Sequence, residues 1–184
     1  MKPFYYKAGT SAKSLQPRLE VIKANMVIGD NSVLDVGCID GSMGYHLIDN
    51  EYASHVTGID IVDKFFDQRG TRFRFIKADI MTFDIGALPN FDMILFLNVM
   101  HHLIDENQNK ARRVLAELMA HGKQMIFDMG SMTESKTPWL NTMRKNWKDD
   151  NDMWNDILSP YQRKKLFEYE QRGGTRTMFL LQEK

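Results

Sequence analysis

The chain has 184 residues, of which 43% are hydrophobic, and its 24 basic and 24 acidic side chains leave a formal net charge of +0. That length supports one domain with a sizeable core and is short for two, and the composition is that of a folded chain. The even charge argues against general attraction to nucleic acid or to an anionic membrane. A single cysteine, Cys38, excludes an intrachain disulfide and a cysteine-rich metal site, so no metal site is expected.

The opening "MKPFYYKAGT" has no apolar stretch of the signal-peptide kind, and the longest apolar run, "MILFLNVM", is interrupted by Asn98 and too short to span a bilayer. A cytoplasmic protein with no membrane span is the expectation. Within the opening, "FYYK" at residues 4–7 offers aromatic and cationic contacts. Residues 11–26, "SAKSLQPRLEVIKANM", place Leu15, Leu19, Ile22 and Met26 at helical spacing, which predicts an amphipathic helix and makes 1–28 an N-terminal helix or cap segment.

After the break at "GDN", the run "SVLDVGC" reads as a buried strand and residues 42–50 as a helix. "HVTGIDI" and "RFRFIKADI" read as two further strands, and "FDMILFLNV" as a fourth that is apolar on both faces. "NKARRVLAELMAHG" brings strong helix formers and a stop at Gly122, and "KQMIFDMG" is a fifth strand. Strands alternating with helices, several of them continuously apolar, predict an α/β fold with a mostly parallel sheet covered on both faces.

Residues 131–160 leave this alternation and are rich in Trp, Asn and Asp, so they read as a helical insertion within the one domain. Leu140, Met143, Trp147, Trp154 and Leu158 form one stripe there, either as core or as the underside of a lid over an acceptor. "KKLFEYEQRGGTRTMFLLQ" closes the chain as a hairpin turning at Gly173 and Gly174, which makes the terminal strand antiparallel.

The loop from Gly37 to Gly41 follows the first strand, where a doubly wound sheet binds its ligands. A dinucleotide fingerprint would place glycines at 37, 39 and 42, and the chain has Gly37, Ile39 and Ser42. A pyrophosphate would also meet Asp35 and Asp40 with like-charge repulsion, whereas a ligand carrying a sulfonium and an ammonium group would be attracted. Each acid has a plainer role as well: Asp35 as an acceptor for loop amides, and Asp40 as the cap of the following helix.

"VLDVGCIDG" resembles the first motif of class I S-adenosylmethionine-dependent methyltransferases, a Rossmann-like superfamily with three layers. The resemblance implies S-adenosylmethionine as cofactor, with Asp35, Gly37, Cys38, Ile39 and Gly41 around it. "GIDIVD" is similar to the second motif and implies that Asp60 accepts hydrogen bonds from both ribose hydroxyls, with Ile61 beside it. "KADI" resembles the third, which puts Asp79 near the adenine amino group and Ile80 at the wall of the ring pocket. "FDMILFLNVMHHL" is similar to the fourth-strand motif, in which Leu97, Asn98 and the residues up to Met100 would line the methionine end and the reactive methyl. The resemblance covers residues 31–130 and departs at Ile39, where the family often has a glycine and the backbone turns tightly.

Methyl transfer from a sulfonium is a direct displacement, so alignment dominates and a base helps only when the acceptor is a hydroxyl. His101 and His102 follow the fourth strand and are the candidate catalytic bases, with packing or helix initiation as the alternative. After strand four the chain reads "LNVM", without the Asn/Asp-Pro-Pro-aromatic sequence that base amino-group methylases share, and it has no Pro-Cys nucleophile. Nucleic acid is therefore disfavoured as acceptor, with ribose or RNA-shape recognition left open. Arg144, Arg163, Arg172 and Arg176 read either as partners of an anionic acceptor group or as solvated surface. The His pair, the Trp-containing insertion and the basic–aromatic last strand also resemble methyltransferase domains that act on phosphorylated sugar ends. The expectation is methyl transfer to an O or N atom of a small-molecule or glycan-like acceptor. The alternatives are a cofactor-binding but inactive partner module and an RNA ribose methyltransferase; a nicotinamide oxidoreductase is weakened by Ile39 and Ser42.

Overall fold

The computed structural model describes residues 12–29, 31–63, 68, 70–135 and 137–184, with side chains from Gln16 onward. "FYYK" and the Leu15 side chain lie outside the described residues. The apolar runs become β1 (Ser32–Val36), β2 (His55–Asp60), β3 (Phe73–Lys77), β4 (Met93–Phe96), β5 (Met125–Asp128), β6 (Tyr161–Gln171) and β7 (Gly174–Glu183), joined in one sheet in the order β3-β2-β1-β4-β5-β7-β6. Neighbours from β3 across to β5 run parallel, and β7 is antiparallel to both β5 and β6. This is the mostly parallel, three-layer Rossmann-like sheet with an antiparallel terminal strand that the sequence predicts.

The helices are α1 (Ala12–Ala24), α2 (Ser42–Asp49), α3 (Met100–Ala120), α4 (Leu140–Asn146) and α5 (Asp150–Ile157). Alternation inside the all-apolar strands shows how both faces are covered. Val33, Met93 and Leu95 join Leu19, Ile22 and Leu47 in one cluster, beneath α1 and α2. Leu34, Ile94 and Phe96 join Val114, Leu118 and Met143 in the other, beneath α3 and α4. The chain runs outward from β1 to β2 and β3, then returns to β4 on the other side of β1, which opens a crevice beyond the carboxyl ends of β1 and β4. α2 can lie on the sheet there because residue 44 is glycine: a Cβ would stand 2.5 Å from the Phe73 ring and 2.8 Å from Val56.

α3 starts at Met100, earlier than the Asn109 start suggested by its helix formers. Asn107 interrupts it with φ −159° and ψ 105°, and its Oδ1 accepts the Lys110 N–H at 3.0 Å, so the second stretch has its own cap. The first stretch, "MHHLIDE", owes its helix to burial of Met100, His101, Leu103 and Ile104, which propensity alone does not reveal. β4 is shorter than "FDMILFLNV" because the chain leaves the extended conformation at Asn98, where φ is 60°.

In the 131–160 segment, Leu140, Met143, Trp147 and Leu158 are buried in the α3-side core, with Trp154 half-buried against it. The segment is tied at both ends. Asp150 accepts the Met132 N–H at 2.7 Å, Trp147 Nε1 donates to Asp156 at 2.7 Å, and Arg112 of α3 pairs with Asp156. Among the described residues no helix is long and apolar enough to cross a membrane.

Candidate functional site

Where β1 ends, the chain turns through Gly37 (φ 78°), Ile39 (φ 52°) and Gly41 (φ 75°). The Gly37 and Cys38 N–H groups both donate to the Ile59 carbonyl, at 2.7 and 3.3 Å, which ties the loop to β2. A Cβ on Gly37 would stand 2.4 Å from Val99 Cγ2, so the loop and the segment after β4 close on one another only with glycine here. Ile39 holds the left-handed conformation that a glycine would adopt freely, at a cost of about 1–3 kcal/mol for a β-branched side chain. Asp40 Oδ1 accepts the Ser42 N–H at 3.0 Å; the N-cap of α2 is Gly41, so Asp40 stands one residue before the cap position expected for it.

Asp60, at the end of β2, is oriented by two backbone donors: Ile39 N–H to Oδ2 at 2.9 Å and Val62 N–H to Oδ1 at 2.8 Å. Each oxygen of an ionised carboxylate keeps a further lone pair. Beside it, the apolar side chain of Ile61 is 53% exposed. After β3, Asp79 Oδ1 accepts the Met81 N–H at 2.9 Å, and Ile80 is buried. The loop, Asp60 with Ile61, and Asp79 with Ile80 thus follow the ends of adjacent strands β1, β2 and β3.

Asp35 lies buried on β1, and its Oδ2 has no hydrogen-bond partner among the described residues. Burial, then the charges of Asp60 and Asp40, push its pKa up to about 7, against the opposing pull of Arg18. The Cys38 thiol is pushed up as well, by burial and then by Asp35, which makes it inert at neutral pH rather than nucleophilic. Arg18, on α1, is also buried, with its guanidinium carbon 5.5 Å from the centre of the Tyr169 ring.

Past β4, Leu97 is buried and Asn98 is held from two sides. Its N–H donates to Asp128 Oδ1 at 2.6 Å, and its Oδ1 accepts from Arg176 Nη1. Asp128 Oδ2 takes the Tyr169 hydroxyl at 2.7 Å. Arg176 in turn grips Glu134. Arg176 is therefore neither solvated nor turned toward a ligand: it is buried and occupied. Arg144 donates to the Met132 carbonyl at 3.0 Å, Arg163 to Asn155 at 2.5 Å, and Arg172 lies over Trp139 at 5.1 Å.

His101 is fully enclosed, and its Nδ1 accepts the Gly130 N–H at 2.9 Å, which puts the ring proton on Nε2. Burial, followed by the Arg176 charge, holds its pKa well below the ordinary range. His102 is the exposed member of the pair, 4.9 Å edge-on from Trp139, and its pKa is lowered by burial and then by Arg172. Among the described residues no group of three or more His, Cys, Asp or Glu side chains could hold a metal.

The profile of a methyltransferase domain family matches residues 34–124, from within β1 to the residue before β5, and takes in the loop, Asp60, Asp79, Asn98 and both histidines. The matched stretch has the sequence profile of a methyltransferase domain, carried on a Rossmann-like sheet. Uncharacterized methyltransferases of Mycobacterium bovis and Mycobacterium tuberculosis are 35% identical to it over 92 residues, which is 46% of this chain and 44% of each relative. The match thus spans less than half the length of those relatives. Among solved structures, the bifunctional kinase-methyltransferase WbdD matches 90% of this chain and 39% of its own, with a TM-score of 0.72 and 20% identity. The N-methyltransferase NodS of Bradyrhizobium japonicum, in complex with S-adenosyl-L-homocysteine, matches 97% of this chain and 91% of its own, with a TM-score of 0.68 and 14% identity. Magnesium protoporphyrin IX methyltransferase of Synechocystis, with bound S-adenosylmethionine, matches 93% and 79%, with a TM-score of 0.66 and 14% identity. At these identities the likeness is one of fold.

Arg18, Asp128, Glu134 and Tyr169 were not legible as site residues in the sequence. One signal was present: Arg176 stands just before the apolar run Met178–Leu181, where an inward arginine requires a buried counter-charge.

Proposed function

We propose that the protein is a methyltransferase that binds S-adenosylmethionine across the Gly37–Gly41 loop and the ends of β2 and β3, and transfers its methyl group to an O or N atom of a small-molecule or glycan-like acceptor. The observation that carries the reading is Asp60, whose two oxygens are already aimed by Ile39 and Val62 N–H groups and retain lone pairs for a ribose diol. Exposed Ile61 supplies an apolar surface for the adenine, and Asp79 an acceptor for its amino group. The neighbours with S-adenosylmethionine or its demethylated product bound support the choice of cofactor.

In a direct displacement the protein's task is alignment. Asn98, fixed by Asp128 and Arg176, gives the methyl end a rigid wall, and the tied α4–α5 segment acts as a fixed wall of the acceptor site rather than a hinged flap. His102 takes the proton when the acceptor is a hydroxyl; His101 supports it from inside, with ring centres 4.3 Å apart. Calorimetry with S-adenosylmethionine, S-adenosylhomocysteine and NAD side by side tests the cofactor reading. The two adenosyl ligands should saturate and NAD should not bind at millimolar concentration. Asp60→Ala should weaken S-adenosylhomocysteine by about 1.5–3 kcal/mol for each charged hydrogen bond removed. Micromolar NAD binding, or an unchanged mutant, overturns the reading.

A further inference from the structure

We propose that Asn98 selects the acceptor through a side-chain amide that offers only N–H donors, so that the acceptor carries an uncharged oxygen, hydroxyl or carbonyl, beside the atom that is methylated. The assignment rests on the methyl-transfer reading above and names the chemistry of the acceptor. An asparagine amide can turn its oxygen or its nitrogen to a neighbour, and the neighbour decides which. Here the neighbour is Arg176. A guanidinium has donors and no lone pair, so the amide oxygen must meet it, and Asn98 Oδ1 accepts from Arg176 Nη1. Arg176 is held in turn by Glu134, through contacts of 2.7 and 2.9 Å. The Asn98 backbone is fixed as well: φ is 60°, a left-handed conformation that asparagine tolerates, and its N–H donates to Asp128 at 2.6 Å.

That leaves Nδ2 and its two protons. Nδ2 has no partner among the described residues, and it is not one of the enclosed polar atoms. Its place in the sheet assigns it to the acceptor half of the crevice. Asn98 follows β4, and its Oδ1 reaches Arg176 on β7, beyond β5 in the sheet order. The amide therefore leans away from β1, β2 and β3, whose ends carry the loop, Asp60 and Asp79. The next residue, Val99, closes on Gly37 and keeps the amide beside the loop. Charge narrows the choice of partner further. Arg176 and Glu134 cancel, and Asp128 adds a buried carboxylate, so this network does not favour an anion. An ammonium or another N–H at that place would set donor against donor, whereas a hydroxyl or carbonyl oxygen brings the missing lone pair.

The test sets matched probes against a change of one atom. Methyl glucoside and cyclohexanol share a ring and a nucleophilic hydroxyl, and glucosamine and cyclohexylamine share a ring and an amine; only the sugars have an oxygen beside it. Release of S-adenosylhomocysteine gives kcat/KM for each. Asn98→Asp keeps the size and the contact with Arg176 and puts an oxygen where Nδ2 stood. It should lower kcat/KM for a sugar probe about 10- to 100-fold and leave any turnover of the cyclohexyl probes within about 3-fold of wild type. Comparing each probe with itself removes differences in reactivity between probes. Affinity for S-adenosylhomocysteine, by calorimetry, should stay within about 3-fold. Asn98→Gly, which suits φ 60° and deletes the amide, decides the matter if Asn98→Asp does not fold. Wild type that binds S-adenosylhomocysteine but turns over neither sugar, losses that are equal on sugar and cyclohexyl probes, or weakened S-adenosylhomocysteine binding overturns the Asn98 assignment and leaves the cofactor reading intact. Wild-type protein that binds neither S-adenosylmethionine nor S-adenosylhomocysteine overturns both.

Discussion

Glu134 and Arg176 meet through two contacts, Nε to Oε1 at 2.7 Å and Nη2 to Oε2 at 2.9 Å, with both side chains inside the protein. The pair joins the segment after β5 to the terminal hairpin, and the arginine's remaining arm fixes Asn98. A buried pair of this kind costs little or nothing to replace by packing, but losing one partner strands the other charge, at about 3–5 kcal/mol. Glu134→Ala should therefore lower the unfolding free energy by about that amount in urea titrations. Replacing both residues by Met should recover most of the stability while impairing methyl transfer, because Asn98 loses its anchor. A Glu134→Ala loss below about 1 kcal/mol would show that the pair is not closed in solution.

Ile39 offers a gain instead of a loss. Its left-handed backbone costs about 1–3 kcal/mol, and a glycine there removes that cost while adding about 0.5–1 kcal/mol of unfolded-state entropy. Ile39→Gly should leave stability unchanged or raise it by up to about 2 kcal/mol in chemical denaturation. Affinity for S-adenosylhomocysteine should hold, since the bond from residue 39 N–H to Asp60 is a backbone contact. A stability loss beyond 1 kcal/mol would mean that Ile39 packs better than its strain costs.

These two positions show what could be read in advance. The loop was legible because its chemistry is local: Gly37, Gly41 and the acids stand within a few residues of one another, and strand ends carry Asp60 and Asp79 directly. The apolar strands were legible because burial on both faces leaves a continuous run. The ion pair was not, because Glu134 and Arg176 meet only after β7 inserts between β5 and β6, a placement set by sheet order rather than by local pattern. Arg18 was missed for the same reason. On a helix it counts as a polar-face residue until α1 is laid on the sheet beside Asp35 and Tyr169. The early start of α3 escaped because burial, not propensity, makes that turn helical.

Asp35 gives the fold a pH dependence whose sign can be worked out. Its pKa is raised in the folded state to about 7, so between about pH 4 and 7 the native protein keeps a proton that the unfolded chain has released. Stability from this group is highest in acid and falls as pH rises through 7. His101 acts in the opposite sense: held neutral by burial, it makes stability rise as pH climbs toward the ordinary histidine value. Asp35→Asn separates the two. Relative to wild type, the variant should gain stability on going from about pH 5 to about pH 8, by about 2–4 kcal/mol in urea unfolding, since one pKa unit is worth about 1.4 kcal/mol. A difference that stays flat across that range would place Asp35 in a more polar setting than its burial implies.

The histidines divide by exposure, and the division predicts different failures. His101 is enclosed and donor-paired at Nδ1, so His101→Ala should act on stability, by about 1–3 kcal/mol from the stranded Gly130 N–H and further loss from the cavity. His102, exposed at the start of α3, can be replaced by Gln at little structural cost. As the base for a hydroxyl acceptor, its loss should lower turnover by about 10²–10⁴ while S-adenosylhomocysteine affinity stays nearly unchanged. The pH profile gives the second readout. Because the His102 pKa lies below its ordinary value, the wild-type rate should already be on its plateau at neutral pH and should fall only toward acid, as the ring takes up a proton. His102→Gln should lose that acid step along with the rate. The measurement is release of S-adenosylhomocysteine with any acceptor that supports turnover, followed from about pH 5 to about pH 8. If His102→Gln keeps the wild-type rate and the same profile, proton removal is not part of the catalysed step. Transfer then depends on alignment by Asn98 and its supports, as an amine that arrives already neutral would allow.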